Sequence, residues 1–164
     1  MGTKRVGWAR IRSLINENQN QLKMSRKKVD NSTFNTGAAV TATLTAAQGG
    51  THFNIDGTGD IVVNLPALSP DNVGLSYSFM VTTAVGSGKS VTFVLPGDSV
   101  SNFYAERLDY ATGSYPRLAT SGDTLTLGAL SVAGSRVELL CIADDGTNST
   151  WQAYIASDVE PTLG

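Results

Sequence analysis

Leu75-Ser76-Tyr77-Ser78-Phe79-Met80-Val81-Thr82 decides the fold class. Leu75, Tyr77, Phe79 and Val81 alternate with Ser76, Ser78, Met80 and Thr82, and a strict period of two places one set inward and the other outward along an extended chain. The same alternation runs through Val40, Ala42 and Leu44, separated by threonines. Shorter runs rich in β-branched and aromatic residues recur at Phe53 to Ile55, Ile61 to Leu65, Val91 to Leu95, Thr124 to Leu127, Val137 to Ile142 and Trp151 to Ile155. Between them stand Gly49-Gly50, Asp56-Gly57-Thr58-Gly59, Gly86-Ser87-Gly88, Pro96-Gly97 and Asp144-Asp145-Gly146, all residues that favour tight turns. About eight short strands with regular punctuation predict a mainly β body over residues 36–164, an antiparallel β-sandwich or jelly roll.

One connection departs from this rhythm. Asp98 to Gly122 is long for a loop in a compact domain, and loops of that length are often functional. It carries Phe103, Tyr104, Tyr110 and Tyr115, which the sequence offers as an interface or recognition loop. The alternative is a loop folded over the end of the sandwich with its aromatics tucked inward.

Residues 1–35 read differently. Of the chain's twelve Lys and Arg residues, eight lie in the first thirty positions, opposed there by Glu17 and Asp30 alone. The local charge is +6, while the remainder, with four basic and twelve acidic residues, carries −8. The net charge of −2 hides this division. From Lys4 to Met24 the apolar residues Trp8, Ile11, Ile15 and Leu22 fall on a heptad seam, with Asn18 at the remaining core position. Thr3 suits a helix N-cap, and Lys23 with Arg26 to Lys28 sets cations where the helix dipole favours them. The expectation is a basic helical docking arm. Burial of four apolar side chains at roughly 1.5 to 3 kcal/mol each does not offset the ordering of some 20 residues at about 1 to 2 kcal/mol each, so such a helix needs a partner surface.

Its contact set would be Arg5, Trp8, Arg10, Ile11, Arg12, Ile15, Leu22, Arg26, Lys27 and Lys28. Clustered cations also neutralise phosphates, and Trp8 has the ring to stack on a base. Trp8 shares the apolar face with Ile11 and Ile15, however, and an acidic body repels a polyanion. An acidic protein surface is the better-matched partner, with nucleic acid disfavoured.

Catalytic and metal chemistry finds little support. Gly86-Ser87-Gly88-Lys89-Ser90 imitates the end of a phosphate-binding loop, but the motif's first glycine would fall at Thr83 and a strand follows where a helix should. Asp56, Asp60, Asp144 and Asp145 lack the spacing of a calcium loop. His52 is the sole histidine and Cys141 the sole cysteine, too few for a zinc site and without a marked partner for nucleophilic catalysis. Paired carboxylates exist in any chain with fourteen acids, and their separation is not legible in sequence. The expectation is no enzyme, no metal and no cofactor. The first thirty residues lack the apolar run of a secretory signal, no stretch approaches the ~20 apolar residues of a membrane span, and Cys141 reads as a small core hydrophobe in a reducing cytoplasm.

Thr3-Lys4-Arg5-Val6-Gly7-Trp8-Ala9-Arg10-Ile11, then Ala46-Ala47-Gln48-Gly49-Gly50-Thr51 and Ile61-Val62-Val63-Asn64-Leu65-Pro66-Ala67, form a leader and β-body that resemble small virion structural proteins of tailed bacteriophages, particularly those infecting cyanobacteria. The closing pair Val137 to Gly146 and Trp151 to Tyr154 is similar to the last two strands of phage decoration and fibre-tip modules. The resemblance implies a virion-surface protein made in the host cytoplasm, a homotrimer docked on the major capsid protein or another virion protein. It favours a capsid decoration, or cement, role. The alternative it implies is a tail-fibre or baseplate component with a glycan-binding β-module. Chain length weighs for decoration, since 164 residues leave no room for a shaft between anchor and body.

Overall fold

The computed structural model describes residues 28–97, 101–109, 112–114, 116–118, 122–129 and 131–164. They form two sheets packed face to face. In chain order the strands are β1 (Lys28–Phe34), β2 (Val40–Thr43), β3 (Thr51–Asp56), β4 (Ile61–Asn64), β5 (Ser76–Thr83), β6 (Val91–Val94), β7 (Asn102–Asp109), β8 (Thr124–Leu127), β9 (Arg136–Asp144), β10 (Ser149–Ser157) and β11 (Thr162–Leu163). One sheet has the order β1-β3-β5-β9-β10-β7, the other β11-β8-β6-β4-β2. Among the described residues the only helical elements are two short 3-10 turns, Ala46–Gln48 and Pro70–Asn72.

The expected antiparallel arrangement needs correction. Five of the nine strand pairings are parallel: β1 with β3, β3 with β5, β2 with β4, β4 with β6, and β10 with β7. The cause lies in the connections. From β1 to β6 each strand is followed by one in the opposite sheet, so the chain coils around the core and returns to each sheet running in its former direction. The Gly-rich segments are arches between sheets, stacked one on the next: Gly57 donates to the Thr83 carbonyl (3.1 Å) and Gly86 to the Gly57 carbonyl (3.0 Å). Only glycine fits at position 57, because a Cβ there would lie 2.6 Å from the Thr83 oxygen. After β6 the pairings are antiparallel, β8 on β6, β9 on β5, β10 on β9 and β11 on β8, with the one exception of β7, which lies parallel beside β10.

The body also begins earlier than residue 36. Lys28, assigned to the arm by its charge, pairs with Thr51 at the start of β1, and Phe34 at the end of that strand is fully buried, edge-on to Phe53 at 5.5 Å between ring centres. The remaining arm residues, from Arg5 to Lys27, and with them the helix expected over Lys4 to Met24, lie outside the described residues.

The core fills the space between sheets. Phe53 stacks on Phe79 at 5.3 Å, Phe79 meets Phe93 edge-on at 4.8 Å, and Tyr77 stacks on Trp151 at 6.0 Å. Burying each such ring contributes roughly 1.5 to 3 kcal/mol, and both partners of each contact come from strands whose period-two pattern is legible. The Tyr77 hydroxyl donates to the Thr45 carbonyl at 2.9 Å, satisfying its one polar atom.

The long connection after Asp98 contains the eight-residue strand β7. In β7, Phe103, Ala105 and Arg107 point inward and Tyr104 and Glu106 outward. Phe103 is therefore a core residue at 0 % exposure, not part of a recognition loop. Arg107 occupies an inward position by pairing with Asp109 at 2.6 Å, and its charge breaks the apolar pattern that would have marked the strand.

The two ends of the sandwich differ. Beyond β7, residues 116–118 fold back antiparallel: Arg107 donates to the Pro116 carbonyl and Leu118 to that of Ala105. Phe103 donates to Gly122, and Gly164 exchanges two backbone bonds with Thr124, so this side is stitched from one sheet to the other. The opposite side ends in β1 and β2. There Asp30 accepts from the backbone of Ser32 (2.8 Å) and Thr33 (2.9 Å), and the register of β1 shifts between Asp30 and Phe34. A bulged, charged edge of this kind resists further strand pairing.

Candidate functional site

The outer face of the six-stranded sheet carries the candidate site. Register fixes which side chains lie abreast. Tyr154 in β10 stands opposite Glu138 in β9 and Glu106 in β7. Beyond Glu138 the same row continues through Ser78 in β5 to His52 in β3. The neighbouring row reads Ser76, Leu140, Gln152, Tyr104, and the row on the other side includes Met80, Arg136, Ala156 and Leu108.

Tyr154 and Tyr104 are 46 % and 47 % exposed and sit diagonally on adjacent strands, a separation of roughly 7 to 8 Å between backbones. Tyr154 and Glu138 form a low divide between two shallow hollows. One, of about 260 Å³, lies over Gly50, Ser76, Ser78 and Leu140. The other, of about 230 Å³, lies over Glu106, Leu108, Arg136 and Ala156. The His52 Nδ1 and the Ser78 hydroxyl are 2.9 Å apart, which fixes the ring against the sheet at the far end of the central row.

The acidic turns considered for cations are filled by their own loops. Asp144 accepts from Ser69 N (3.1 Å), Asn72 Nδ2 (3.0 Å) and Gly146 N (2.9 Å), tying the closing turn to the 3-10 turn at Pro70–Asn72. Asp145 accepts from the backbone of Thr147 and Asn148, and these bonds hold its carboxyl below the usual range. Asp60 is likewise lowered by its hydrogen bond and ion pair with Lys89 at 2.9 Å, so the lysine of the phosphate-loop lookalike is engaged within its own arch. Among the described residues no group of three His, Cys, Asp or Glu side chains is placed to hold a metal ion. Cys141 is buried, and burial, then the nearby Asp144 carboxylate, raise its thiol to about 11.

Of the expected recognition residues, Phe103 is in the core, Tyr104 is on the outer face, and Tyr110 and Tyr115 lie outside the described residues. Glu106, Glu138, Gln152 and Tyr154 were missed. The signal for two of them was present: Tyr154 is out of phase with Trp151, Ala153 and Ile155, and Glu138 with Val137 and Leu139, which places both on the outward side. What sequence does not contain is the parallel register that brings β7 beside β10. Comparison with protein-family models, curated protein sequences and solved structures finds no match.

Proposed function

We propose that this chain is a non-enzymatic virion structural protein of a tailed phage, a decoration protein that docks on an acidic surface of the shell through its first thirty residues and holds the β-body outside. The observation that carries the reading is the division of charge, +6 against −8, with the changeover falling where β1 enters the sheet. A cationic segment of this kind is drawn to an acidic lattice, and an acidic body is kept off it. Register would be set by Trp8, Ile11, Ile15 and Leu22, the apolar side chains on the heptad seam. Homotrimeric docking multiplies modest single contacts, since each bound arm raises the effective concentration of the next. The tightly packed body and its self-filled acidic turns suit a displayed, stable mass.

Replacing Arg5, Arg10 and Arg12 together by Glu tests the proposal. Particles assembled with the variant and purified by sedimentation should lack it, while its far-ultraviolet circular dichroism remains that of the parent. Association of the parent should also weaken steeply with added salt, as screening of exposed charges requires. Incorporation of the variant at parental levels refutes electrostatic docking.

A further inference from the structure

We propose that the outer face of the six-stranded sheet is a binding site for a neutral oligosaccharide, centred on Tyr154 between Glu138 and Glu106. This reading is independent of how the first thirty residues dock. It rests on the kind and order of groups on the face. Two half-exposed tyrosines on adjacent strands offer flat apolar surfaces for the C–H faces of sugar rings, together with phenolic hydroxyls. Around them stand groups suited to sugar hydroxyls: the carboxylates of Glu138 and Glu106 accept, the amide of Gln152 does both, and the guanidinium of Arg136 donates.

The shape points the same way. The two hollows adjoin along Tyr154 and Glu138, and each falls below the roughly 300 Å³ at which pockets for compact small molecules begin. A ligand that gains affinity here must extend across both. A chain of small polar rings does so, with one ring in each hollow, Tyr154 under the link, and a third ring against Tyr104, which stands outside both hollows.

Other occupants fit less well. A protein interface concentrates its apolar residues at the centre and depletes Glu there, whereas the centre of this face is a row of Glu, Tyr, Glu. Nucleic acid and acidic sugars find no net positive charge on this face, where Arg136 and the Arg117 that pairs with Glu106 are matched by Glu138 and Glu106, on a body that carries −8 outside the first thirty residues. The surface is also protected as a platform. Residues 116–118 pair with the β7 edge beside it, which closes that edge to a further strand.

The test uses the full chain on an array carrying neutral hexose and N-acetylhexosamine oligomers beside uronate-containing, sialylated and sulfated ones. The expected result is binding confined to neutral oligomers, of at least three sugar units. With the best-bound oligomer in titration calorimetry, Tyr154→Ala and Glu138→Gln should each weaken binding about tenfold, as loss of a central contact does. Because both side chains are exposed, their unfolding transitions should match the parent's. Tyr104→Phe should bind nearly as well as the parent and Tyr104→Ala more weakly, separating ring stacking from its hydroxyl. Silence of the parent across the array overturns the proposal. So does a preference for acidic glycans, or binding that survives Tyr154→Ala and Glu138→Gln unchanged.

Discussion

Cys141 shows how much a single side chain's setting controls. It faces the core beside Trp151, its register partner in β10, and burial raises its thiol from 9.0 to about 11. Tyr77 is raised from 10.0 to about 12, first by burial and then by the Cys141 thiolate that would form nearby. Both groups are neutral in the native protein where the unfolded chain would begin to ionise. Their contribution to stability is complete below about pH 9 and is lost as pH climbs through the native values. Urea midpoints measured between pH 8 and 11.5 should therefore fall progressively above pH 9, and Cys141→Ala should shallow that fall. In the same protein Ellman's reagent should leave the thiol untouched at pH 8 and titrate one thiol per chain in denaturant. The buried-hydrophobe reading of Cys141 came directly from its apolar run. The roles of Arg107 and Phe103 did not, because one inward charge disguised a strand as a loop.

At the scale of elements, the strands were far more legible than their partners. Period two identified β5, β9 and β10 with their inward sets, since alternation is a local property. Pairing is not local. A Gly-rich segment serves equally as a hairpin turn within one sheet or an arch between two, and no residue at Asp56 to Asp60 distinguishes them. That ambiguity produced the antiparallel expectation. The candidate face was hidden by the same non-locality, since Glu106 joins its central row only because β7 runs parallel beside β10.

The stitched side of the sandwich gives a prediction of its own. A Cβ at Gly122 would run into the backbone of Gly164, whereas one at Gly128 meets nothing within 4 Å. Gly122→Ala should loosen β11 from β8, costing about 1 to 3 kcal/mol as overpacking does. Amide exchange at Leu163 and Gly164 should accelerate, and the urea midpoint should fall. Gly128→Ala should leave both unchanged.

For the whole molecule, the division between arm and body is a matter of burial rather than charge. Phe34, fully buried against Phe53, belongs to the body, although the charge division at residue 30 and the onset of period two near Ala38 together place residues through 35 in the arm. A chain starting at Lys28 should fold with an unfolding midpoint within about 5 °C of the full-length protein, since it keeps every core contact described. A chain starting at Thr36 loses β1 and the Phe34 ring, a change of about 3 to 5 kcal/mol for the side chain alone. It should melt much earlier or fail to accumulate, as differential scanning calorimetry would show. Equal midpoints for the two truncations would return the boundary to residue 36.

The stacked arches have a consequence for how such a chain can vary. Strands β1, β3 and β5 begin at residues 28, 51 and 76, so each circuit of the core takes a similar length of chain and sets its strands directly on the last. An insertion of one complete circuit between β4 and β5 would add a layer and leave the seam at β7, β8 and β11 undisturbed, whereas half a circuit would deliver every later strand to the wrong sheet. Related chains should therefore grow or shrink in whole layers, as a stack does, and β9, β10 and β7 would travel outward with each layer without changing their own arrangement.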